Sequence, residues 1–159
     1  MKLVPRLGFF GLPDKFSCSL LSGLALIAGG MLYISFRSAD IVLFRWIRFV
    51  GLDSSLTSFR ERSLAYLHLM PPWIVYSLPN GLWAFAYTLI VLTIWAGSHS
   101  WLRYLWYATV PLLVFGFEGL QLTGMIRGTF CYIDLAFGAA GILAGLLINH
   151  FNYKRRIEQ

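Results

Sequence analysis

Charge is scarce in this sequence. Thirteen basic and seven acidic side chains make up 13% of its 159 residues, where an ordinary soluble domain carries about 25%. Apolar residues account for 58%, and the mean hydropathy is +0.67. They are gathered in long blocks rather than in amphipathic alternation, and blocks of roughly 18 or more fit a bilayer core about 30 Å thick. A soluble domain is excluded on that pattern.

Cysteine is scarce as well. Cys18 and Cys131 form no metal or redox spacing, and each reads as a small buried hydrophobe rather than as half of a disulfide. His68, His99 and His150 are scattered along the chain, so no metal site and no cofactor is expected. Ser77 and Ser98 have no histidine–aspartate arrangement around them, which speaks against a serine hydrolase. Internal repeats and low-complexity segments are absent too. The formal net charge of +6 does not point to nucleic acid, because the basic residues flank apolar blocks. Lys154, Arg155 and Arg156 directly follow the last one, where basic side chains meet headgroups and cytoplasm.

What the sequence does have is four apolar blocks, at about residues 17–36, 79–97, 101–123 and 132–151. The expected fold is all-α: one polytopic membrane domain of four transmembrane helices. The first block follows Lys2, Arg6 and Lys15 and resembles a secretory signal. It is longer than the usual apolar stretch of roughly 7–15 residues, however, and no small-x-small cleavage site follows it, so a retained span is expected. Residues 40–78 read as a cap on the membrane. Within it, 41–52 suits an interfacial amphipathic helix with Arg45 and Arg48 on one face and Trp46 at headgroup depth, and Pro71 and Pro72 break any helix. The other tryptophans, including Trp73, Trp83, Trp95, Trp101 and Trp106, read as an aromatic belt. The Lys-Arg-Arg run places both termini on the cytoplasmic side. Counted that way, seven basic residues lie inside and six outside.

The chemistry lies in residues 117–145, FEGLQLTGMIRGTFCYIDLAFGAAGILAG. Glu118 and Gln121 are three apart and share a helix face. A carboxylate at the centre of a spanning helix costs roughly 2.5–3.5 kcal/mol on insertion scales; Glu118 lies about one turn from the end, where the cost is smaller, and is still expected to face protein or a wet cavity. Arg127 lies in the short loop that follows, and Asp134 opens the fourth span, where the helix dipole favours an acid. Glu118, Gln121, Arg127 and Asp134 are therefore expected to converge as a binding cluster. Such a cluster can bind a polar headgroup, move a proton, or neutralise its own charges. Gly138, Gly141 and Gly145 follow Asp134 at steps of four, three and four. Small residues along one stripe let membrane helices approach closely, and the simplest partner is span three.

The order E-x-x-Q, R, D and then spaced glycines resembles the VanZ-like family, which is named for a protein associated with teicoplanin resistance. The likeness covers roughly residues 111–146 and rests on Glu118, Gln121, Arg127, Asp134, Gly141 and Gly145, with Gly138 where members commonly carry asparagine. Tyr87 matches a tyrosine that follows the start of span two in the family. The resemblance implies an inner-membrane protein of the cell envelope whose polar pocket takes a lipid-linked or amphiphilic component. Membrane lipids are the expected partners, and a membrane-protein partner is the other. The alternative class is a small structural subunit of a larger membrane complex. An enzyme using Glu118 as general acid or base stays open, but no nucleophile or metal accompanies it.

Overall fold

The computed structural model describes residues 15–37, 49, 51, 53–126 and 128–157, the side chains of 53–55 and 152–157 excepted. Every element among them is helical. They are α1 (Lys15–Phe36), α2 (Asp53–Leu64), a 3-10 turn (Leu67–Leu69), α3 (Pro72–Tyr76), α4 (Leu78–Ile94), α5 (Leu102–Leu122) and α6 (Tyr132–Ile157). Three helical stretches, Lys15–Phe36, Leu102–Leu122 and Tyr132–Phe151, are long and apolar enough to cross a membrane. The expected second span, α4, is equally apolar but only 17 residues long. The segment expected as an interfacial helix, 41–52, lies almost wholly outside the described residues.

Helix α4 is the centre of the molecule. Its principal neighbours are α1 and α6, while α5 packs more lightly on α4 and α6. The reason is side-chain size. Cys18, Ser22, Ala25 and Gly29 are buried on α1 at steps of four, three and four, which makes one face of a helix. On α4 the buried set is equally slight and includes Gly81, Ala84, Ala86 and Thr88. Apolar side chains gain little by leaving lipid, so membrane helices are held by close van der Waals contact, which small residues permit. The hydroxyls in these faces stay satisfied within their own helices. Ser22 donates to the Cys18 carbonyl at 2.7 Å and Thr88 to the Ala84 carbonyl at 2.7 Å, so neither brings an unpaired group into the core.

The glycine stripe of α6 divides between two neighbours, which corrects the expectation that it lies on span three. A Cβ on Gly141 would collide with the Gly81 carbonyl oxygen and lie 3.0 Å from the Phe85 amide nitrogen, both on α4. One on Gly145 would meet Thr88 at 2.8 Å, also on α4. Only Gly138 faces α5, where Val114 lies 2.5 Å from the same hypothetical atom. Helices α4 and α6 therefore run side by side in the same direction, with α1 and α5 antiparallel to them.

The expected cap also differs in part. Pro71 and Pro72 end the 3-10 turn, but Pro72 then begins α3, since a proline in the first turn loses no hydrogen bond. Val75 and Ser77 are 1% and 2% exposed, and the Trp73 ring stacks on Phe137 at 5.6 Å. One side of this short helix packs into the bundle, while Trp73 and Tyr76 stay 44% and 46% exposed. On its other side, Arg60 of α2 donates to the carbonyls of Ile34 and Arg37 at 2.7 and 2.6 Å. Those carbonyls lie at the end of α1, where no intrahelical donor remains. The outward face carries exposed large apolar side chains such as Ile27, Leu105 and Leu112, as a lipid-facing surface does.

Candidate functional site

At the end of the bundle where α1 and α5 finish and α4 and α6 begin lies a cavity of about 910 Å³. Glu118, Gln121 and Asp134 all line it. Arg127 lies outside the described residues, although Gly128 and Thr129 beside it form part of the rim.

Local backbone geometry builds this end. Helix α5 stops at a glycine cap: Gly124 has φ +72°, its amide donates to the Gln121 carbonyl at 3.0 Å, and the Met125 amide donates to Leu120 at 3.0 Å. That pair of bonds uses two of the carbonyls a helix end leaves open, and the positive φ suits glycine. The chain then turns back, and α6 starts after Cys131, whose carbonyl accepts from the Leu135 amide at 3.2 Å.

The two carboxyl groups divide the work at this junction. Glu118 is 8% exposed, and its Oε2 accepts from the Cys131 amide at 3.2 Å. In an ordinary capping arrangement the acid three positions into the helix would take that amide. Asp134 occupies that position, and because Glu118 has the amide, Asp134 Oδ1 is buried without a hydrogen-bond partner. Neither acid makes an ion pair among the described residues, and the expected partner Arg127 lies outside them. A buried acceptor without a donor is costly, by about 1–3 kcal/mol.

The opposite wall holds a group that the sequence did not single out. Arg37, just past the end of α1, lines the cavity with its guanidinium carbon 5.3 Å from the Tyr33 ring centre and 5.2 Å from that of Tyr76. Its Nε is buried and unpartnered. Asn80 and Trp83 of α4 also line the site, and Trp83 covers Gly29 of α1. Trp83 is therefore a wall of the cavity. Nothing in the local pattern distinguishes Arg37 from other loop arginines; only the packing of α1 and α3 on α4 brings it here.

Tyr87 lines the cavity further in. Its hydroxyl lies 2.7 Å from Thr109 Oγ1, and Thr109 donates its own hydrogen to the Trp106 carbonyl at 2.6 Å. A hydroxyl has one hydrogen to give, so Tyr87 is the donor in this pair. Beyond it the wall turns apolar. Leu113 and Phe117 line the cavity yet are 43% and 56% exposed on the outside of the bundle. Helices α1 and α5 share no extended interface, so the cavity reaches the apolar surface between them.

Cys131 lines the cavity, whereas Cys18 is buried in the α1 face. A small hydrophilic thiol reagent applied to the folded protein should add one label per chain, and Cys131→Ser should remove it. Two labels, or a label surviving in Cys131→Ser, would contradict this placement. Among the described residues no cluster of His, Cys, Asp and Glu suits a metal ion. No family model matches the chain, and neither a curated protein nor a solved structure shows significant similarity to it.

Proposed function

We propose that this chain is a VanZ-like protein of the inner membrane that acts in the cell envelope, taking the polar end of a lipid-linked or amphiphilic component into its cavity. The observation that carries this reading is the two-part character of the cavity. Its lining joins Glu118, Asp134, Arg37, Gln121 and Asn80 with Leu113, Val114 and Phe117, and of the latter Leu113 and Phe117 are exposed at the surface. An amphiphile has the same two parts. Sites of this kind are mostly apolar with a few placed polar groups, and ionisable residues inside a membrane protein are functional candidates.

In this reading α4 is the second of four spans. At 1.5 Å per residue its 17 residues cover about 25 Å, and α3 extends it through the bend at Ser77. The part of the 40–78 segment that precedes α3 lies along the interface, and both termini are cytoplasmic. The polar end of the cavity then sits near the outer leaflet, where envelope components are handled. A place in glycopeptide resistance follows from the family resemblance alone.

Thr129 is exposed at the rim, so Thr129→Trp would obstruct the mouth without entering the helical core. Native mass spectrometry of protein released from its own membranes should find a retained amphiphile on the wild type and its loss from Thr129→Trp at unchanged helicity. Equal lipid retention by the two would favour a structural subunit whose cavity is not a ligand site. For topology, cysteine labelling at either terminus of intact cells should fail until the membrane is opened; labelling from outside would reverse the orientation.

A further inference from the structure

The cavity's charges are segregated. Glu118 and Asp134 stand on the α5 and α6 side, and Arg37 stands on the α1 side between two tyrosine rings. Groups of opposite sign in one cavity can close into a salt bridge. Here none forms among the described residues. The guanidinium is held by Tyr33 and Tyr76, and Glu118 is tied to the Cys131 amide. Each side also keeps an unsatisfied buried polar atom, Asp134 Oδ1 on one and Arg37 Nε on the other. The open acceptor asks for a donor, and the open donor asks for an acceptor.

A purely anionic headgroup answers only Arg37 and brings a second negative charge toward the two acids. A purely cationic one answers the acids and meets Arg37. A headgroup carrying both charges answers both walls at once. We infer that the cavity selects a zwitterionic amphiphile, setting its cationic group against Glu118 and Asp134 and its anionic group against Arg37. The planar guanidinium fork suits a phosphate, and a primary ammonium carries three donors for the carboxyl oxygens. Phospho-ethanolamine chemistry fits this description, with acyl chains leaving past Leu113 and Phe117. The inference rests on the proposed amphiphile site and adds to it the charge pattern of the headgroup.

The test uses the whole purified protein in detergent with three probes: dihexanoyl phosphatidylethanolamine, dihexanoyl phosphatidylglycerol and free phosphoethanolamine. Binding is read by native mass spectrometry in the wild type and in Arg37→Gln, Glu118→Gln and Thr129→Trp. The ethanolamine lipid should bind about tenfold more tightly than the glycerol lipid, because a charge-assisted hydrogen bond is roughly twice as strong as a neutral one. Glu118→Gln should erase that preference by weakening the ethanolamine lipid alone, and Arg37→Gln should weaken both lipids. Free phosphoethanolamine should bind less tightly than the lipid; equal binding would overturn the amphiphile and leave a soluble zwitterion. Equal binding of both lipids, blocked by Thr129→Trp, would overturn the zwitterion inference while the amphiphile site stands. Lipid binding that Thr129→Trp does not block would overturn both.

Discussion

Gly141→Leu should prevent this protein from reaching a stable fold. The hypothetical Cβ at this position meets the Gly81 carbonyl and the Phe85 amide, which are backbone atoms that no rotamer change can move aside. Helix α6 would have to lift off α4, and with it the contacts of Gly145 on Thr88 and of Phe137 on Trp73. Overpacking typically costs about 1–3 kcal/mol and occasionally more; backbone on the receiving side places this substitution at the upper end. At roughly 2–4 °C per kcal/mol for a chain of this size, the melting temperature in detergent should fall by about 6–12 °C, or the protein should fail to accumulate. Gly23 and Gly30 on α1 have open space where a Cβ would go. Alanine at either should be neutral or stabilising, since glycine in a helix interior is less favourable than alanine by roughly 0.5–1 kcal/mol. If Gly141→Leu melts like the wild type, the α4–α6 crossing described above is wrong.

Glu118→Gln should leave the protein folded and strip its cavity of function. The glutamine carbonyl can still accept from the Cys131 amide, the bond that orders the start of α6. What changes is the rest of the side chain, which now offers an amide donor where the carboxyl offered an acceptor. A ligand donor aimed at this point loses a hydrogen bond to a charged group, worth about 1.5–3 kcal/mol, so binding should weaken by roughly ten- to a hundredfold. Glu118→Ala should behave differently. It leaves the Cys131 amide without its acceptor, at about 1–3 kcal/mol, and should lower stability as well as binding. Abundance and melting temperature separate the two variants from each other; ligand retention separates both from the wild type. Normal retention in Glu118→Gln would remove this residue from the site.

Much of the architecture was legible because the bilayer constrains composition so strongly. Apolar blocks announced the helices that begin at Lys15, Leu102 and Tyr132, and the acid-bearing turn between α5 and α6 followed from a loop too short to separate its ends. The order of packing was not legible. Stepped glycines show that α6 is pressed against something, but not which helix. The answer depended on Gly81, a single residue in a segment that reads only as a turn followed by an apolar run. Arg37 escaped for a similar reason: a basic residue after an apolar block has an ordinary explanation at the headgroups. Its place in the cavity arises because α3, which leads into α4, lies beside the end of α1 and brings Tyr76 to meet it. Asp134 was recognisable as a first-turn acid. That its expected amide would be taken by Glu118, leaving an oxygen unpartnered, is a property of the closed junction rather than of either residue.

The central claim is that a lipid-like molecule occupies the cavity bounded by α1, α4, α5 and α6 with its polar end inward. Phe117 lines the cavity and is open to the surface, whereas Leu105 lies on the outward face of the same helix away from it. A photo-cross-linking phenylalanine analogue placed at each position in the native membrane reports what touches it. The account predicts one dominant amphiphile adduct at Phe117, lost when Thr129→Trp obstructs the mouth, and an adduct mixture matching the bulk lipids at Leu105. Adducts at Phe117 that match the bulk mixture and ignore Thr129→Trp would contradict it.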